Sequence, residues 1–141
     1  MDLSYVITPF FAWFMAGGIK FIINTIRAKR LAFNLIGYGG MPSNHSSIVS
    51  SAASIIALKE GLQEPALVVA LALAFIVMLD ANSLRQQVGK HAEVINIINK
   101  DKARAPLRER MGHTRFEILA GIIVGITSAL CVYIFNNTNY Y

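Results

Sequence analysis

The chain has 141 residues, of which 55% are hydrophobic and only 15% charged, with a mean hydropathy of +0.50. A soluble domain this small has too little interior to hide so much apolar surface, which argues against a disordered tail, a disulfide-stapled secreted domain or a repeat array and points to a bilayer as solvent. The net charge of +5 and pI near 9.6 do not call for nucleic acid, because the cations are confined: four of the 13 Lys and Arg lie between Lys20 and Arg30 and eight between Arg85 and Arg115, Lys59 being the other.

The first predicted element covers residues 3–26. Met1-Asp2 is acidic and no small-residue cleavage site follows the apolar run, so a retained span is expected rather than a removable signal peptide. Its length suits a hydrocarbon core of about 30 Å. The second element, 42–62, opens on Pro42 with Ser43 or Asn44 as N-cap. It is rich in small residues, from Ser46, Ser47, Ser50 and Ser51 to Ala52, Ala53 and Ser54, a composition suited to close helix contact rather than to lipid.

The third, 65–84, starts at Pro65, a favoured first-turn position, and carries LVVALALAFIVML from Leu67 to Leu79 before meeting Asp80. An acid at the end of a span is costly unless paired, and Arg85 is the obvious partner. Residues 86–99 place Val88, Ala92, Ile95 and Ile98 at helical spacing, the pattern of an amphipathic helix on the membrane surface. A basic loop at 100–115 containing Pro106 leads into the fourth span, 116–135, whose one charged residue is Glu117.

The expected fold is therefore an all-α integral membrane protein, a single domain over 1–141 with about four transmembrane helices and one interfacial amphipathic helix. The loops between spans one and two and between spans three and four share one side and hold the two clusters of cations, which places that side in the cytoplasm. Cations recruited to bind an anionic substrate would produce the same count. Small-residue faces on spans one and two invite a homo-oligomer.

Two polar positions stand out. His45 follows Gly39-Gly40-Met41-Pro42-Ser43-Asn44 at the start of span two, and His113 follows Gly112 at the start of span four, with Glu117 four residues on. On a helix that spacing stacks a carboxylate beside the imidazole. Both spans begin on the basic side, so both histidines are expected in one interfacial layer with the cations. Histidine attacks or protonates near neutral pH, Arg and Lys neutralise phosphoryl oxygens, and Gly-rich turns and helix N-termini add backbone N–H groups. The combination suits phosphate chemistry. His91 is expected on the surface of the amphipathic segment.

The run GGMPSNHSS, Gly39 to Ser47, resembles the Pro-Ser-x-His motif of the type 2 phosphatidic acid phosphatase superfamily, which also contains the vanadium haloperoxidases. GHTRFE, Gly112 to Glu117, resembles its third motif, and Lys20 and Arg27 match the spacing of its first. The ensemble, with Met78-Leu79-Asp80-Ala81 and Arg85 between, is most similar to the small divergent bacterial branch of that superfamily. The resemblance implies a lipid phosphatase of the bacterial inner membrane that needs no metal or other cofactor. His113 would be the nucleophile, Glu117 its orienting carboxylate and His45 the general acid. Lys20, Arg27 and one of Arg104, Arg108 or Arg110 would hold the phosphoryl oxygens, helped by Ser43 and the Gly40 backbone, with Asp80 and Arg85 beside them. Ala28 stands where the first motif ends in Pro, and Leu107 where the third motif has Ser-Arg. The alternative expectation is a non-catalytic membrane protein that binds or moves an anionic phospholipid; a haloperoxidase and an H-E-x-x-H metallohydrolase fit less of the sequence.

Overall fold

The computed structural model of the protein describes residues 2–29, 31, 40–99 and 105–138, and every regular element among them is helical. In chain order these are α1 (Ser4–Ala28), α2 (Asn44–Glu60), α3 (Pro65–Leu79), a π-helical turn (Asp80–Leu84), α4 (Arg85–Ile98) and α5 (Arg115–Thr138). Burial is inverted relative to a soluble protein. Phe10 and Phe75 are 69% and 63% exposed, whereas Ser43, Ser46, Ser47 and Ser51 are fully buried. Large apolar side chains facing outward around a polar interior are stable only where the surroundings are themselves apolar.

Serine reaches this interior because its hydroxyl can be satisfied locally. Ser47 Oγ donates to Ser43 O at 3.0 Å and Gly121 O at 2.9 Å, and Ser51 Oγ to Ile48 O at 2.8 Å. With their polar atoms bonded, these small side chains let neighbouring backbones approach. The partner surface is α5, where Gly121 and Gly125 lie one turn apart. A Cβ on Gly121 would come within 2.5 Å of Ser43 O, and one on Gly125 within 2.6 Å of Ser47 O. The serine face of α2 and the glycine face of α5 are thus one close helix contact, and α2 also packs on α1 and α3.

Three helical stretches are long and apolar enough to cross a membrane: Ser4–Ala28, Pro65–Ile98 and Arg115–Thr138. In the second, the expected span and the expected surface helix are joined without a break, the chain running from α3 through the π-turn into α4 as one 34-residue stretch. No Gly or Pro lies between Pro65 and Gly89 to stop it. At about 1.5 Å per residue the stretch exceeds a hydrocarbon core of about 30 Å, so one end projects beyond it. Ser43 proves to be the N-cap of α2, accepting from Ser46 N.

At one end of the bundle the start of α1 meets the end of α2: Lys59 pairs with Asp2 and also donates to Ser4 Oγ, and Tyr5 donates to Glu60. At the other end the start of α2 meets the start of α5, Ser43 N donating to Glu117 O at 2.9 Å. α2 therefore runs between these two ends, alongside two of the apolar helices. The candidate site lies at this second end.

Candidate functional site

The turn before α2 delivers His45. Gly40 is buried with φ +148°, in the region that favours glycine, and its missing Cβ would point at Asn24 Oδ1 of α1. Ser43 caps the helix, with Ser46 Oγ a further 3.0 Å contact on its hydroxyl, and His45 occupies the first turn. The Oδ1 of Asn44 and the Nδ1 of His45 are buried with no hydrogen-bond partner.

His113 is delivered by an extended strap, residues 105–113, that runs antiparallel along α4. Asn96 Nδ2 donates to Leu107 O at 2.8 Å, and Leu107 N donates to Asn96 Oδ1 at 2.7 Å, so one amide side chain imitates a backbone partner. A Cβ on Gly89 would strike the strap at Glu109 O. At the far end His113 N donates to Ala81 O in the π-turn at 2.9 Å, and Gln86 Nε2 donates to His113 O at 3.0 Å. Gly112 has φ +85°, and a Cβ there would lie 2.7 Å from Gln86 Cγ and 3.2 Å from Ala81 O. A π-turn exposes carbonyl groups that a regular α-helix would engage, and here one of them holds the histidine's backbone.

The result is a histidine pair. The rings of His45 and His113 meet edge to face, with centroids 5.9 Å apart and an interplanar angle of 81°. His113 is 7% exposed, and neither of its ring nitrogens has a hydrogen-bond partner. Buried polar atoms are almost always bonded, so bare ring nitrogens are a marker of function. Burial pushes the His113 imidazole below its ordinary value, the Lys20 ammonium adds to the shift, and the Glu117 carboxylate opposes it, with His45 and Arg85 contributing smaller downward effects. Lys20, Arg85 and Asp80 are also within electrostatic reach of His45.

Lys20 and Arg85 are thus within electrostatic reach of both histidines, Asp80 of His45 and Glu117 of His113. Asp80 and Arg85 form an ion pair across the π-turn, Nε to Oδ2 at 3.1 Å. Glu117 does not sit on the His113 ring. Its Oε2 accepts from Thr114 N at 2.9 Å while Glu117 N donates to Thr114 Oγ1 at 3.3 Å, a capping box at the start of α5. His113 precedes that box and is not on the helix, so the four-residue spacing does not stack carboxylate on imidazole. The Ser43 hydroxyl is fully buried in its cap.

The other expected cations are mostly exposed among the described residues. Arg27 is exposed near the end of α1, about 10 Å further along the axis than Lys20. Arg108 is exposed on the strap, its Nε donating to Arg110 O. Arg104 lies outside the described residues. His91 is exposed on α4, as expected. Among the described residues no three His, Cys, Asp or Glu side chains are grouped as metal ligands. Gln86, Asn24 and the glycine pair of α5 were not singled out from the sequence, and Ala81 entered only as the end of the Met78–Ala81 run. Only the pair carried a signal there, two glycines four residues apart in an apolar helix; an ordinary Gln on an amphipathic helix carries none.

Fold and site define an all-α integral membrane protein with two facing histidines, His113 buried and His45 half-buried, within reach of cations and carboxylates at one end of its bundle. The chain belongs to the divergent PAP2 family, whose model matches residues 1–128. It is similar to the uncharacterized membrane protein YuiD of Bacillus subtilis (strain 168), with 32% identity over 130 residues, covering 79% of this chain and 82% of the relative. No solved structure matches the chain.

Proposed function

We propose that the chain is a membrane phosphatase that hydrolyses a lipid phosphate monoester or diphosphate through a phosphohistidine on His113. The single observation that carries the proposal is the facing pair of His45 and His113, with bare buried ring nitrogens and with Lys20 and Arg85 around it. A neutral His113 nitrogen attacks phosphorus, and the bond from phosphorus to the lipid oxygen breaks. That oxygen takes a proton from the His45 imidazolium, and the lipid leaves as an alcohol or, from a diphosphate, as a monophosphate. Water then attacks the phosphohistidine, giving its proton to the now neutral His45, and inorganic phosphate and free His113 are restored. Lys20 and Arg85 neutralise the equatorial oxygens throughout. Glu117, held by the capping box, acts as a nearby negative charge.

In the same proposal α2 is a fourth span. It packs on α1, α3 and α5, and its serine face is covered, so it needs little lipid-compatible surface of its own. α4, whose exposed face carries Val88, Val94, Ile95 and Ile98, lies at the interface of the bacterial inner membrane, with the site on the cytosolic face. The test is phosphate release from a panel of lipid phosphates by wild type, His45→Ala and His113→Ala. Release by wild type alone supports the proposal, and equal release by all three ends it.

One observation favours a second role, binding or moving an anionic phospholipid without turnover: the Glu117 carboxylate is bonded to Thr114 N and leaves the His113 ring without an orienting partner. Saturable phospholipid binding with no phosphate release would select it.

A further inference from the structure

Extending the proposed function, we infer that Gln86 and the π-turn are the positioning device for His113, in the place a ring-directed carboxylate would occupy. A nucleophilic imidazole must be held in register with the groups around it, since misplacement of about 1 Å can cost about 100-fold in rate. Nothing bonds to the His113 ring nitrogens, so its register has to come from its backbone.

Both backbone groups of His113 are held from one continuous helical stretch, the π-turn and the first turn of α4. Its N–H goes to Ala81 O in the π-turn and its carbonyl oxygen accepts from Gln86 Nε2, at 2.9 and 3.0 Å. Gly112 closes the contact, leaving no space for a Cβ against Gln86 Cγ and N. The element that fixes the His113 peptide also carries Arg85 and Asp80, on its two flanks. A π-turn holds one more residue per turn than an α-helix would, which sets the angular offset between the outward face of α3 and the residues that follow. Histidine backbone and arginine side chain are thereby positioned by one continuous helical stretch rather than by two independent loops. Gln86 is a positioning residue: it reaches the histidine's carbonyl and no reacting atom.

The Gln86 amide is the bond most readily altered without changing packing. Gln86→Glu keeps its shape but, when ionised, replaces an N–H donor with a carboxylate facing the His113 carbonyl oxygen. Gln86→Ala removes the donor altogether. Asn96→Ala serves as the control, since it loosens the same strap at Leu107, far from the histidine. The experiment measures kcat and KM for phosphate release from a lipid phosphate, and records the imidazole resonances of His45 and His113 by NMR on the same detergent-solubilised, full-length variants.

The expected result is a fall in kcat of about 10- to 100-fold for both Gln86 variants with KM nearly unchanged. The His113 resonances shift or split while those of His45 stay in place, and Asn96→Ala keeps near wild-type kcat and His113 resonances. His113 resonances unchanged in both Gln86 variants would overturn the inference, as would equal losses in Asn96→Ala. If wild type releases no phosphate, the proposed function fails, and the resonances alone decide whether Gln86 positions His113.

Discussion

The imidazoles of His45 and His113 come from opposite ends of the chain's polar motifs and meet edge to face, 5.9 Å between centroids. One is placed by a capped helix start and the other by a strap pinned to a π-turn. The contact of α2 with α5 brings those two supports together, so the site depends on how closely the two helices approach.

That closeness rests on glycine. Gly121→Ala must push Ser43 O or Ser46 Cβ away from built distances of 2.5 and 2.9 Å, an overpacking cost of about 1–3 kcal/mol. Thermal unfolding in detergent should show the loss, with phosphate release falling in parallel because Ser43 carries the turn to His45. Gly18→Ala, where a Cβ meets nothing within 4 Å, should leave the unfolding temperature unchanged or raise it, as an alanine in a helix is favoured over glycine by about 0.5–1 kcal/mol.

Glu117 has two separable duties, a cap and a charge. Glu117→Gln retains a capping-box acceptor and should unfold close to wild type, whereas Thr114→Ala should cost about 1 kcal/mol. Glu117→Gln also removes the negative charge that raises the His113 value, so the imidazole should titrate still lower, as followed by NMR. A Glu117→Gln variant that titrates like wild type would mean that the carboxylate does not reach the ring.

The pH dependence has a definite sign. Burial holds folded His113 below its ordinary 6.5, so the unfolded chain binds more protons around and just below that pH. Stability contributed by neutral His113 is full above 6.5 and is lost as pH falls from there towards the folded value, below which the contribution is flat. His113→Phe should flatten this part of a stability-against-pH curve measured by thermal unfolding. The acid limb of phosphate release should likewise lie below pH 6.5, because the nucleophile must be neutral.

The cations divide into near and far. Arg85→Ala should lower kcat/KM for lipid phosphate hydrolysis by about 100-fold, the scale of one lost charge-stabilising donor. Arg27→Ala and Arg108→Ala, at exposed positions, should change it less than about threefold, the ratio corresponding to under 1 kcal/mol. Steady-state kinetics on the three variants checks the assignment.

Much of this was legible in the sequence, for physical reasons that also mark where legibility stopped. Among the described residues the helical stretches fall close to the apolar and periodic runs of the sequence, since lipid imposes an apolar surface on any span, and the Pro42–His45 turn and His113 were conspicuous as polar groups at span ends. The spacing of His113 and Glu117 misled because it has two meanings. Read from a helix that includes His113 it stacks carboxylate on ring; read from Thr114 as N-cap it is a capping box, and Thr114-Arg115-Phe116-Glu117 carries that second signature in full. The Asp80–Arg85 pairing was expected from the cost of an acid near a span, but the unbroken helix through the π-turn was not, because amphipathic and apolar segments join without a breaker. Gln86 and Ala81 act through a backbone contact that depends on where the strap returns, which local pattern does not encode.

The most direct test of the central claim is trapping of the intermediate. A lipid phosphate labelled in its phosphoryl group is mixed with wild type, His45→Ala and His113→Ala, quenched in alkali and mapped by peptide. The account predicts alkali-stable, acid-labile label on the peptide containing His113 in wild type and none in His113→Ala, with His45→Ala labelled more slowly. Phosphate release by wild type with no label on His113, or with equal label in His113→Ala, would contradict it.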